Sequence, residues 1–249
     1  MTAMLRCLTA LLGLVLIAQS GTASAADADT RLQIYGLTLD ETRLGDGFCE
    51  KKTPADFVAH ECAQSRQLLP KIADIDVQTT PAPHVTLTLA PDPDGKPQDV
   101  RIWYAPREQG GRSFMITTIT HTPHNLDAAR GGVLEAFGMP AVEFSHADME
   151  ARGIHVADLT IDTLLYVDRE LPPADWNRIA HRLRTKFDPT GSQLFGLPNS
   201  NLRTLSRLLG PDFRGAIVQI SESGWSHESS VTTILLDLKR AQSTFDFSG

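Results

Sequence analysis

The sequence predicts an α+β fold: an antiparallel sheet, made of a three-stranded meander and a C-terminal hairpin, packed with several helices. Three observations carry that expectation. Residues 85–120 alternate apolar and polar side chains with a period of two, broken by two strong turn signals. Segments near 125–137 and 172–187 instead repeat their apolar residues at helical spacing. Two further strand-like runs follow, at 216–221 and 231–238. Strands thus come in neighbouring runs with helices between the groups, an order that favours α+β over a doubly wound parallel sheet.

Taken in order, residues 1–25 read as a cleavable secretory signal peptide. Arg6 is the basic residue, and residues 8–18 form an apolar core that includes Leu11, Leu12, Leu14, Val15, Leu16 and Ile17. Ala23, Ser24 and Ala25 fit the small-x-small rule, which puts the cut between Ala25 and Ala26. The competing reading is a membrane anchor, but so short a run does not span ~30 Å of hydrocarbon as a helix. Cys7 precedes the apolar run, so no lipid-attachment cysteine follows it. The expectation is a periplasmic or secreted protein with no transmembrane segment in its mature part, residues 26–249. That length suits one large domain or two closely packed halves divided near 145–153.

Removing the signal takes away one of three cysteines and leaves Cys49 and Cys62. An even pair in an oxidising compartment is expected as a disulfide. A redox pair or half of a metal site would call for Cys-x-x-Cys or clustered histidines, and only His60 stands nearby.

The mature chain opens with a strand over 31–39, interrupted at Gly36. Thr53 as N-cap and Pro54 at the first helical position predict a helix whose stripe runs through Phe57, Val58, Cys62, Leu68 and Leu69. The meander follows. Val85, Leu87 and Leu89 share one face of its first strand, and Val100, Ile102 and Tyr104 mark the second. Residues 114–120 make the third, and turns fall at 91–95 and 109–111. Asn125 to Phe137 is a helix ended by Gly138 and Pro140, although Gly131 and Gly132 weaken it by about 1 kcal/mol each. Short and long strands at 141–144 and 159–167 precede the strongest helix, with Trp176, Ile179, Ala180, Leu183 and Phe187 at helical spacing. A shorter helix around Leu202, Leu205, Leu208 and Leu209 stops at Gly210-Pro211 and leads into the closing hairpin.

Composition bounds the function. The chain is 41% hydrophobic and 21% charged, which is ordinary for a globular protein and argues against disorder. A net charge of −7 argues against general nucleic-acid binding, which needs clustered cations to replace counterions.

The stretch 221–230 holds the densest mixture of chemistry. Trp225, Ser226, His227 and Glu228 combine a stacking surface, a hydroxyl, an imidazole and a carboxylate, suited to a ligand-binding loop on a rigid scaffold. An ordinary polar hairpin tip has the same composition. Catalysis by a Ser/His pair is disfavoured, because Ser226 and His227 are adjacent and strand neighbours point to opposite faces. No Gly-x-Ser-x-Gly elbow is present.

His121 and His124, with Glu143, His146 and Asp148, would suit a divalent ion only if both ends of the helix between them met. A three-turn helix separates its ends by ~20 Å. His-Glu-x-x-His is absent, and no metal or cofactor is expected. Arg178, Arg182 and Lys186 line one side of the strongest helix, a weak match to an anionic membrane surface or to a solvated face. Arg101, Trp103, Tyr104 and Arg107 are read first as sheet packing, second as a groove. The sequence expectation is therefore a non-enzymatic binding protein of the bacterial periplasm or envelope, its ligand or protein partner unidentified. The alternative is an envelope hydrolase with a Ser/His site near 221–230.

Overall fold

A computed structural model describes residues 32–39, 50–52, 58–60, 72–78, 84–89, 98–105, 109–122, 125–153, 158–168, 173–186, 199–226 and 228–245. The chain divides into two units, Met1–Thr30 and Arg31–Gly249. The first lies wholly outside the described residues, and every described strand and helix belongs to the second.

The fold is α+β, as the alternation and helical spacing predict. Strands β3 (Ile72–Gln78), β4 (His84–Leu89), β5 (Gln98–Tyr104), β6 (Ser113–Thr122), β7 (Val142–Phe144), β8 (Leu159–Val167), β9 (Arg214–Ser223) and β10 (Ser229–Asp237) form one sheet. Its order is β3-β4-β5-β6-β10-β9-β8-β7, with every neighbour antiparallel. Helices α1 (Leu126–Phe137), α2 (His146–Glu150), α3 (Pro173–Lys186), α4 (Asn199–Leu209) and α5 (Leu238–Phe245) complete this unit. A separate hairpin pairs β1 (Glu50–Lys52) with β2 (Val58–His60).

The sheet buries both faces. Phe114, Phe144, Leu165, Phe213, Ile217 and Leu236 lie on one side with Ile179 and Leu183 of α3, four leucines of α4 and two residues of α5. Leu87, Ile102, Ile116, Leu164, Val218 and Leu235 lie on the other, under Ala129 and Val133 of α1 and under Ile34, Leu37 and Leu39. A strand in the middle of two such layers has no solvent side, which explains the near-continuous burial of β10.

Local chemistry sets the helix ends. Asn125 caps α1 by accepting from the Ala128 N–H at 3.0 Å, and Gly138 takes φ 75° while its N–H donates to Leu134 O at 2.9 Å. Ser145 and Asp148 form a reciprocal capping box on α2. Among the described residues, no helix is long and apolar enough to cross a membrane.

Several expectations need correction. The strand expected over 31–39 is a tight turn in its described part. Ile34 and Leu37 exchange backbone hydrogen bonds at 3.0 and 2.8 Å around Tyr35 and Gly36, which take φ 50° and 78°. Left-handed conformation at both central residues is the two-residue hairpin turn, and Gly36 supplies half of it without strain. The helix expected from Thr53 gives way to β2 at Val58–His60. A short apolar run with a β-branched residue fits either period, and the helix rested on Cys62, Leu68 and Leu69, which lie outside the described residues.

The expected Cys49–Cys62 disulfide is also corrected. None of the three cysteines stands near disulfide distance of another, so no such bond is supported. Both residues lie outside the described segments. The described hairpin sets Glu50 opposite His60, a register one residue out of step with a 49–62 pairing. The sequence pattern does not indicate strand β3 or helices α2 and α5.

Candidate functional site

At the β9–β10 tip, the polar side chains hold the turn itself. Ser223 Oγ accepts from the N–H groups of Trp225 and Ser226 at 3.3 and 3.4 Å, and Ser226 Oγ accepts from the Glu228 N–H at 3.3 Å. Gly224 N–H donates to Asp158 O at 2.8 Å, tying the tip to the start of β8. Trp225 is 82% exposed, and Ser226 and Glu228 are exposed beside it. His227 lies outside the described residues. Glu222, at the base of the tip, reaches away from it, and its Oε2 accepts from the Leu126 N–H at 2.6 Å, closing the N-terminus of α1.

The other candidates separate. His121 is exposed at the end of β6, and His124 lies outside the described residues. His146 Nε2 stands 3.6 Å from Glu150, and Asp148 belongs to the capping box. Among the described residues, no group of three or more His, Cys, Asp or Glu side chains is placed to hold a metal ion. Arg178 pairs with Asp175 at 2.5 Å, Arg182 donates to Arg207 O at 3.3 Å, and Lys186 is exposed. Trp103 and Tyr104 are buried, Trp103 stacked on His84 with ring centroids 4.1 Å apart.

A feature that sequence reasoning missed lies between α1 and the sheet. A groove of about 560 Å³ is floored by Thr118, Thr120 and Thr122 of β6 and by Val231 and Thr233 of β10. One wall is the turn at 33–36, which Tyr35 pins to β5 through a hydrogen bond from its hydroxyl to Gln98 Oε1. The roof is α1, through Ala128, Gly132 and Ala136 with Ala129, Val133 and Phe137. Positions 128, 132 and 136 are four apart and share one helix face. That face carries only two methyl groups and a hydrogen, so helix and sheet do not close on each other there. The volume falls in the range of small-molecule pockets.

The roof is held by its ends and its far side. Asn125 and Glu222 secure the N-terminus. At the other end, the Tyr166 hydroxyl donates to Gly138 O at 3.2 Å, and its ring packs on Phe137. Burial pushes the Tyr166 phenol above its ordinary value, opposed by nearby Arg130. In the middle, Arg130 forks onto both oxygens of Glu143 on β7 and reaches Asp162 of β8 at 3.4 Å. Its hydrogen bond to Glu143 is the largest cause holding the Arg130 guanidinium above its ordinary value, against the opposing effect of burial. Asp162, 6% exposed, also accepts from the His146 N–H at 2.9 Å.

One polar group in the groove is unmet. Thr118 is 6% exposed, and its Oγ1 has no hydrogen-bond partner among the described residues. An unmet buried hydroxyl costs about 1–3 kcal/mol. The two helix glycines are likewise unexplained by packing, because a Cβ at Gly131 or Gly132 would meet nothing within 4 Å. That pair was the groove's one trace in the sequence, since threonine alternation in a strand and alanines in a helix read simply as core. Comparison with known proteins gives no match to a family model, a curated protein or a solved structure.

Proposed function

We propose that the chain is an exported binding protein that takes a small, mostly apolar molecule into the groove beneath α1. The observation that carries this reading is the groove's independence of packing. Its roof is anchored at both ends and at Arg130, while the inner helix face is stripped to Ala128, Gly132 and Ala136. A helix interior with two adjacent glycines gives up about 2 kcal/mol relative to alanine. At Gly132 that cost keeps the space open. The exposed Trp225, with Ser226 and Glu228 beside it, does not line this groove. Arg178, Arg182 and Lys186 offer at most a weak surface contact, since the first two already have intramolecular partners.

Export rests on the signal-like residues 1–25 and has its own check. Intact mass of protein recovered from the periplasm or medium is expected to begin at Ala26, and retention of residues 1–25 would overturn it. The groove is tested with 1,6-diphenylhexatriene, a hydrocarbon whose fluorescence rises in apolar surroundings. The unaltered protein is expected to bind it saturably. Gly132→Leu fills the groove from its roof and is expected to weaken binding at least tenfold while raising stability by about 1 kcal/mol, because leucine is the better helix former. Gly131→Ala does not face the groove, and is expected to stabilise similarly with binding unchanged. Binding by Gly132→Leu equal to that of the unaltered protein sinks the reading.

A further inference from the structure

We infer that the ligand of this groove is an uncharged amphiphile, an aliphatic or aromatic body carrying one hydroxyl or carbonyl that hydrogen-bonds Thr118. The inference rests on the binding reading above and adds the chemistry of what is bound. Its first support is charge. The groove's lining contains no Asp, Glu, Lys, Arg or His among the described residues; its polar side chains are hydroxyls and the amide of Gln33. The charged residues of the roof helix are Asp127, Arg130 and Glu135, and none of them lines it. Arg130, the cation closest in sequence to the groove, is already forked onto Glu143 and in reach of Asp162. An ionised carboxylate or ammonium entering would leave water and meet no counter-charge, which strongly disfavours it.

The second support is Thr118. Its side chain is more than nine-tenths buried, lines the groove, and has a hydroxyl oxygen with no hydrogen-bond partner among the described residues. A threonine hydroxyl both donates and accepts, so it serves a ligand carbonyl or a ligand alcohol equally. Thr233 faces it across the β6–β10 ladder, and Thr120 and Thr122 step away along β6 at intervals of ~6.8 Å. Of the groove's threonine hydroxyls, that of Thr118 is the one buried without a partner among the described residues, so it is the polar point of contact. A molecule with a single hydroxyl or carbonyl matches it, with its aliphatic or aromatic body against the apolar lining.

Competition against 1,6-diphenylhexatriene tests this with three ligands of one chain length at about pH 7.5, where carboxylates and amines are ionised: decanol, decanoate and decylammonium. Decanol is expected to displace the hydrocarbon at a concentration at least tenfold below either ion. Thr118→Val keeps the β-branched shape and removes the hydroxyl. It is expected to weaken decanol about tenfold relative to the hydrocarbon, the worth of one well-made hydrogen bond in a desolvated site. Either ion competing as well as decanol, or decanol binding Thr118→Val unchanged, overturns the inference while leaving the groove as a binding site. A protein that does not bind the hydrocarbon saturably removes both.

Discussion

Replacing Gly215 with alanine is expected to destabilise the protein by about 3 kcal/mol, because the added methyl group has no room. Gly215 lies in β9 between Val167 of β8 and Leu236 of β10, at the end of the sheet beside Arg214. A Cβ there would stand 2.1 Å from the carbonyl oxygen of Tyr166 and 3.0 Å from the Phe213 ring. The nearer obstacle is backbone in a paired strand, so relief requires moving β8 or β9 and breaking their register. No left-handed φ is involved, which separates this glycine from Gly138 and Gly210, where a side chain would be strained but would meet open space. Thermal unfolding checks it. For a chain of this size the midpoint is expected to fall by ~10 °C, and an unchanged midpoint would show that the strands part without cost.

The second large effect is expected at Arg130. Arg130→Met should cost about 2–3 kcal/mol in urea unfolding, and Arg130→Lys should recover less than half of it. Removing one partner of a fully buried ion pair costs about 3–5 kcal/mol. The lower figure reflects the exposure of the Arg130 and Glu143 side chains, 30% and 33%, whereas the Asp162 side chain is only 9% exposed. Without the guanidinium, two carboxylates from adjacent strands share one pocket, and Asp162 keeps only the His146 N–H of its described partners. Lysine restores a charge but not the fork that meets both Glu143 oxygens. Equal stability of the lysine variant and the unaltered protein would show that charge alone matters there.

The legible parts of this fold are those in which one period runs unbroken. β8 lies where the alternation over 159–167 puts it, and α1 and α3 start within two residues of the expected positions, because capping and apolar spacing agree in each. The leucines at 202–209 likewise mark α4. β3 is hidden because its alternation spans only seven residues with two aspartates among them, and α2 because five residues carry too little pattern. Sheet order is beyond reach. Nothing in β6 or β10 alone indicates that Thr122 pairs with Ser229, more than a hundred residues later. The disulfide fails for a related reason: compartment and parity supply a motive for a bond, but distance decides it. At the candidate site, composition draws attention to the 221–230 tip. The groove stays hidden because its floor and roof meet only in the folded chain.

The central place of β10 also governs when the protein becomes a protein. It is the last described strand in sequence, yet it lies between β6 and β9 and joins the two halves of the sheet. Until it is made, β6 lacks a partner on one side, and the four strands β3 to β6 have nothing to bind them to β7, β8 and β9. Such a topology is rich in distant contacts, whose loop-closure entropy must be met before they return any stability, so folding is slow. A chain emerging from the ribosome accordingly stays without its complete core until β10 appears. The order of its strands is itself a delay, written into the fold.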